Sequence, residues 1–308
     1  MITAQIRQTM EWLQEKNYKS FYLAFLRVAL SLWLLKEVCI NWSSMDILYG
    51  PFAFSIPKNN FLTSIPGGAS ILIHNHYRIF VIIHISVILL NISGIGRWAT
   101  ALLLLAMVHI LQQMNGLVFN NGNALVKLVL LYLIFADSYQ YFVLFKSNRE
   151  DNNKRKFRNL LSNLAVLSIM LQLCLAYFAS GVSKIMDPYW QNGEATYYAL
   201  SMERFMGTLL NKYIVQHRWI DYLSNYVVIA FELLFPFLIW VKKLRSPLLI
   251  TGILFHLGIY IFLMIYGFQI AFILLYGLFL PNNKLLKILT FIKFDKPGAN
   301  SNVSNKVD

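Results

Sequence analysis

The side chains in this sequence that could do chemistry are ionisable groups set inside, or directly after, long apolar runs. They are Arg27, Lys36, Glu37, His84, His109, Lys127, Asp137, Lys184, Glu232 and His256. A charge held in hydrocarbon is costly, so such groups default to proton relays, counter-ions and substrate contacts. Glu37, His84, His109, Lys127, Lys184 and Glu232 come from different apolar runs and fall at similar depth, which suggests a polar cavity opening to one face. Each also has a structural reading. Lys36 and Lys127 have stems long enough to snorkel to an interface. Arg27 and Asp137 can pair across two helices, and His84 and His109 can bond carbonyls in a core. His74 and His76 form an H-x-H pair with no acidic or cysteine ligand nearby, so no metal is expected. No phosphate loop, hydrolase elbow or dinucleotide fingerprint is present.

The elements that must position these groups follow from composition. Of 308 residues, 57% are hydrophobic and 13% charged, with a mean hydropathy of +0.54. Soluble domains carry about 25% charged residues, and so few charges cannot cover a water-facing surface. Disorder, collagen and coiled coil are excluded by the same figures. The expectation is an all-α, polytopic integral membrane helix bundle. A span needs about 20 apolar residues, and candidates lie at 21–41, 78–95, 98–115, 124–145, 157–180, 226–241, 247–265 and 268–281, giving about eight transmembrane helices. The apolar run that opens at 21 has no small-residue cleavage site and reads as a span, not a signal peptide. Residues 1–20 form a cytoplasmic N-terminal segment, 21–281 the membrane domain, and 282–308 a cytoplasmic polar tail, unstructured over 295–308.

The formal charge of +13 comes from short basic clusters between apolar runs, which fits the positive-inside rule rather than nucleic-acid binding. With both termini cytoplasmic, the outer side holds few basic residues: Lys58, Arg78, Lys184, Arg204, Lys212 and Arg218. Trp42, Trp190 and Trp219 then fall near the outer boundary, and Trp98 and Trp240 near the inner one. Cys39 and Cys174 lie in apolar segments and form no disulfide framework. Two outer segments are long, 42–77 and 181–225, and the second contains an expected amphipathic helix from Glu194 to about Leu210. Long segments beside a bundle are where function tends to sit.

The most informative stretch runs from Tyr177 to Tyr198, YFASGVSKIMDPYWQNGEATYY. Gly181 can end the preceding helix as a left-handed cap. If the helix runs on, Tyr177, Gly181 and Lys184 share one face, with Trp190 as an interface anchor. At Tyr177, Phe178, Gly181, Lys184, Trp190, Gly193, Ala195 and Tyr197 the sequence resembles the horizontally transferred transmembrane (HTTM) family, related to the membrane domain of vitamin K-dependent gamma-carboxylase. Arg27, Leu48-Tyr49-Gly50, Asn121-Gly122, Glu232 to Pro236, Phe255-His256 with Gly258, and Gly267-Phe268 extend the resemblance over about residues 20 to 281.

The resemblance implies that Lys184 is a general base toward a reduced quinone of the vitamin K hydroquinone type. Oxygen and carbon dioxide would be co-substrates, and a separately encoded peptide or protein would be carboxylated. Lys127, His109, His84, Tyr177, Glu232, His256, Asn121 and Trp190 would line the cavity. Where the carboxylase has a histidine after an Asn-Asn pair, this sequence has Gly122, leaving His84 or His109 as substitutes. A second functional reading is a non-catalytic membrane partner in the maturation or export of a secreted peptide. In either case the candidate site faces the non-cytoplasmic side of a bacterial cell or inner membrane. Transport would want broken helices across an inverted repeat, and no repeat is visible.

Overall fold

A computed structural model describes residues 2–53, 69–115, 121–145, 151–265 and 267–282, and over these the chain is all-helical. The expected tail at 295–308 and part of the outer segment 42–77 lie outside the described residues. The helices are α1 (Ile2–Glu15), α2 (Ser20–Ile40), α3 (Met45–Tyr49), α4 (Ala69–Asn75), α5 (Tyr77–Ser93), α6 (Trp98–Met114) and α7 (Asn121–Phe135). They continue with α8 (Asn152–Ile185), α9 (Pro188–Gln191), α10 (Ala195–Ser201), α11 (Leu209–Gln216), α12 (Arg218–Leu238), α13 (Lys242–Leu263) and α14 (Phe268–Tyr276).

Three of them, α8, α12 and α13, are long and apolar enough to cross a membrane; α5, α6, Gly122–Phe135 and Phe268–Phe279 are shorter apolar helices. Helix α2 has 21 residues but carries Arg27, Lys36 and Glu37. Its Leu23, Leu26, Leu30 and Trp33 enter one large core with Val87, Leu104, Leu130, Ile169, Phe235 and Leu275, so α2 is a central element of the bundle. Large apolar side chains such as Leu103, Leu175 and Ile250 remain exposed, which is compatible with a membrane around these helices.

Three expectations are corrected. First, α7 stops at Phe135 rather than running to 145. The segment after it is held by side chains in place of helix bonds. Ser162 Oγ accepts the Asp137 N–H at 2.7 Å, and the Asp137 carboxylate takes Gln140 Nε2 at 2.9 Å and Arg158 Nε at 3.1 Å. Second, Arg27 does not pair with Asp137. Its guanidinium donates to the carbonyls of Ser138 at 3.3 Å, Ile92 at 2.9 Å, Tyr141 at 3.3 Å and Phe142 at 2.7 Å, and to that of Asn91. It thereby bonds carbonyls at the end of α5, where helix bonds run out, and in the irregular segment. Third, the expected helix from Glu194 to Leu210 is broken into α10, a 3-10 turn at Glu203–Phe205 and α11. The break lets Gly207 lie against the last turn of α13, where its N–H bonds Phe262 O at 3.3 Å. An added Cβ at Gly207 would strike Ile261 O.

Helix α8 has 34 residues and ties the two ends of the molecule together. At its start, Asn159 Nδ2 donates to Gln14 O at 3.1 Å and Asn163 Nδ2 to Leu13 O at 2.7 Å and Lys16 O at 2.9 Å, capping the last turn of α1. Gly181 lies inside the helix, not at its end. A Cβ there would sit 2.9 Å from the Leu233 side chain and 3.3 Å from Glu232 Cβ, so the glycine sets how closely α8 and α12 approach.

Candidate functional site

Because α8 continues past Gly181, Lys184 stands on the face that meets α12. Its Nζ donates to both Glu232 oxygens, at 2.9 and 2.8 Å, and to Ser180 Oγ at 2.7 Å. The pair is withdrawn from solvent, with side-chain exposures of 18% for Lys184 and 5% for Glu232. The ammonium also lies 5.0 Å from the Trp190 ring centroid, close enough for cation–π attraction. Trp190 is set by local chemistry. Asp187 caps α9 by accepting the Tyr189 and Trp190 N–H groups at 2.9 and 3.3 Å. Pro188 occupies the first helical position, and Asn225 Nδ2 on α12 holds Trp190 O at 2.7 Å.

The pair borders a cavity of about 1090 Å³ between α7, α8, α10, α11, α12, α13 and α14, walled mainly by apolar side chains such as Leu200, Ile214, Ile259 and Phe262. Tyr177, two turns before Lys184, and His256 also line it. Tyr177 Oη lies 2.7 Å from His256 Nε2 and is hydrogen-bonded to the Tyr276 hydroxyl. Phe255, Phe268 and Phe272 pack around the imidazole, with centroids at 5.2, 6.0 and 4.9 Å. Four sequence candidates besides Lys184 therefore meet in one hollow: Tyr177, Trp190, Glu232 and His256.

The remaining candidates are distributed elsewhere. His84 and Glu37 border a second, smaller pocket of about 80 Å³ with Gln112, Asn115 and Asn123, where Lys36 Nζ lies 2.8 Å from Glu37 Oε1. Helix α7 separates the two, with Leu125 and Leu128 facing the large cavity and Asn123 and Val126 the small one. Lys127 and His109 are half-buried and line neither. Asn121 opens α7, and its side chain lies outside the described residues. The six groups of similar depth are thus not gathered in a single cavity.

Ser180 and Tyr276 were not singled out in the sequence. Ser180 sits four residues before Lys184, a spacing that makes helix neighbours, so it carried a usable signal. Tyr276 is brought in from a distant helix and carried none. Among the described residues no three His, Cys, Asp or Glu side chains come together as a metal site would need. Comparison with family models, with curated proteins and with solved structures gave no match.

Proposed function

We propose that this is a multi-pass membrane enzyme acting on a lipid-soluble hydroxyl compound of the quinol class, with Lys184 and Glu232 as its acid–base pair. The observation that carries this reading is a buried ammonium–carboxylate pair at the edge of a large apolar cavity. A pair of this kind can pass a proton between its members, leaving an amine beside a carboxylic acid. The Lys184 amine then accepts the proton of a ligand hydroxyl and becomes ammonium, which stabilises the oxyanion it has created. The cavity suits the ligand: mostly apolar walls for a tail and aromatic side chains at Phe255, Phe268 and Phe272 for a flat ring. A bound quinol would supply the ionisable hydroxyl. The resemblance to the gamma-carboxylase membrane domain supports the same assignment, together with about eight spans, cytoplasmic termini and a site toward the outer face.

The test is to supply purified protein with a tailed naphthoquinol, oxygen and carbon dioxide beside candidate peptides. Quinone epoxide formation and a peptide mass gain of one carboxyl group are expected. Lys184→Ala and Glu232→Gln should each lower turnover by on the order of a hundredfold or more. No turnover and no quinol binding, with Lys184→Ala leaving cells unaffected, would remove the enzyme reading.

A second reading, a membrane partner in peptide maturation, draws on the exposed aromatic rings of the outer segment, Tyr189, Tyr198, Tyr213, Trp219 and Tyr222, a composition typical of contact surfaces. It requires that a specific peptide co-purify, and that changes to these rings weaken capture more than Lys184→Ala does.

A further inference from the structure

Several cations of the bundle find their counter-charge or acceptors within the protein. Lys36, Arg158 and Lys184 each meet a carboxylate oxygen, at 2.8, 3.1 and 2.8 Å, and Arg27 is bonded all round by carbonyls. Lys19 and Arg245 are half-buried too, yet among the described residues neither meets a carboxylate. Lys19 Nζ donates to Leu280 O, and Arg245 Nε to Ile239 O at 3.3 Å. These two acceptors belong to adjoining stretches of chain, because the rings of Trp240 and Phe279, one residue from each, pack with centroids 5.7 Å apart. Burial, then the charge of Arg245, lower the Lys19 ammonium to about 8, as befits a cation whose nearest charge is another cation.

Capping the ends of two helices accounts for only part of this chemistry. An ammonium carries three donors and a guanidinium five. Lys19 gives one to Leu280 O, and Arg245 uses Nε alone, so its two terminal nitrogens bond nothing among the described residues. A free guanidinium fork with an ammonium near it matches a phosphate, which takes the fork on two oxygens and the ammonium on another. The surroundings favour a phosphate that carries acyl chains. Phe237, Trp240, Val241 and Leu244, on the stretch that leads to Arg245, are all large, apolar and exposed, and a free ion in water gains nothing from such a surface.

We propose that Lys19 and Arg245 bind the phosphate of an anionic phospholipid whose acyl chains lie along Phe237, Trp240 and Leu244. Basic pockets between membrane helices hold lipid headgroups in this way. The site is remote from the acid–base pair. Tyr18, next to Lys19, bonds Asn163 Oδ1 through its N–H at 3.2 Å near the start of α8, whereas Lys184 is at the far end of that helix. The inference needs a bilayer around the bundle but no chemistry at Lys184. One phosphate neutralises both cations and joins the start of α2 to the turn between α12 and α13, so the lipid should also stabilise the fold.

The test titrates delipidated protein in a non-ionic detergent with short-chain phosphatidylglycerol, with phosphatidylcholine of the same chains and with glycerol phosphate, read by calorimetry and by thermal unfolding. Wild type should prefer phosphatidylglycerol to phosphatidylcholine by about tenfold, the value of one charge-assisted hydrogen bond, and its unfolding midpoint should rise. Lys19→Gln and Arg245→Gln should each remove most of that preference. Arg245→Lys, which keeps the charge without the fork, should lose part of it. The double variant Lys242→Gln/Lys243→Gln, which removes two exposed charges beside the site, should keep it. Unfolding without lipid establishes that each variant is folded, and the wild-type comparison decides even where one is not. Equal binding of the two lipids overturns the proposal, as does a Lys242→Gln/Lys243→Gln loss as large as that of Arg245→Gln, which would mean general surface charge. Glycerol phosphate binding as tightly as phosphatidylglycerol would make the occupant a water-borne anion and overturn the lipid. Each of these failures leaves the reading of Lys184 and its cavity standing.

Discussion

Arg27 and Lys184 are both cations inside the bundle, and the structure answers them in different ways. Arg27 is 1% exposed and meets carbonyl oxygens from two segments of chain, with the Tyr139 ring 5.1 Å from its guanidinium carbon. A planar guanidinium suits this because its donors fan out in a fixed fork that a lysine cannot copy. Arg27→Met should therefore strand those carbonyls and lower stability by about 3 kcal/mol or more, and Arg27→Lys should recover only part of the loss. Chemical unfolding of the purified variants measures both; an Arg27→Lys protein as stable as wild type would mean that charge alone matters. The sequence revealed that Arg27 is a costly intramembrane charge but not what satisfies it, because any backbone carbonyl can serve and none is distinguished by residue type. For Lys184 the partner is a side chain, and Glu232 was legible as a candidate from its depth. Their bonding was not, since it depends on how closely two helices approach.

That approach belongs to α8 and α12, and Gly181 sets it. Length and apolarity placed the middles of these helices, because long apolar runs leave little freedom, but not their ends. Helix α8 runs from Asn152 to Ile185 against an expected 157–180, and α12 from Arg218 to Leu238 against 226–241. The ends of α7 and the path from 194 to 216 were misread. There the chain obeys contacts from elsewhere, namely Arg27 and Arg158 at one place and the end of α13 against Gly207 at the other. Two glycines with the same intrinsic helix penalty separate packing from propensity. A side chain at Gly181 collides with Leu233 and crowds Glu232, whereas Gly258 on α13 has open space around it. Gly258→Ala should leave stability unchanged or raise it by up to about 1 kcal/mol. Gly181→Leu should lower it by about 1–3 kcal/mol through overpacking, and should weaken quinol binding more than its stability loss explains, because Glu232 is pushed from Lys184. Unfolding midpoints and calorimetry on the two variants decide this. Equal behaviour would mean that the α8–α12 contact does not hold the pair.

The whole molecule has two chemically distinct ends, and α8 is the yardstick between them. Its 34 residues make a rod of about 51 Å at 1.5 Å per residue, against a hydrocarbon core of about 30 Å. Lys154, Arg155, Lys156 and Arg158 mark its start, where α1 is bound through Asn159 and Asn163. The same end collects other cations. Lys19 bonds Leu280 O, and burial, then the charge of Arg245, lower its ammonium to about 8. Lys184 and Trp190 lie at the opposite end. The proposed topology sets the basic end of this rod in the cytoplasm, following the positive-inside rule, and the Lys184–Glu232 pair toward the outer face. Single cysteines report this directly in a background with exposed Cys39 replaced by Ser, buried Cys174 being retained. In sealed right-side-out vesicles, a membrane-impermeant maleimide should label Tyr189→Cys at once and Glu11→Cys only after permeabilisation. The reverse pattern would turn the protein over and give the site access to the cytoplasmic side. Labelling of both without permeabilisation would mean that α8 does not cross the bilayer, and the proposed lipid-soluble ligand would then have no lipid from which to enter the cavity.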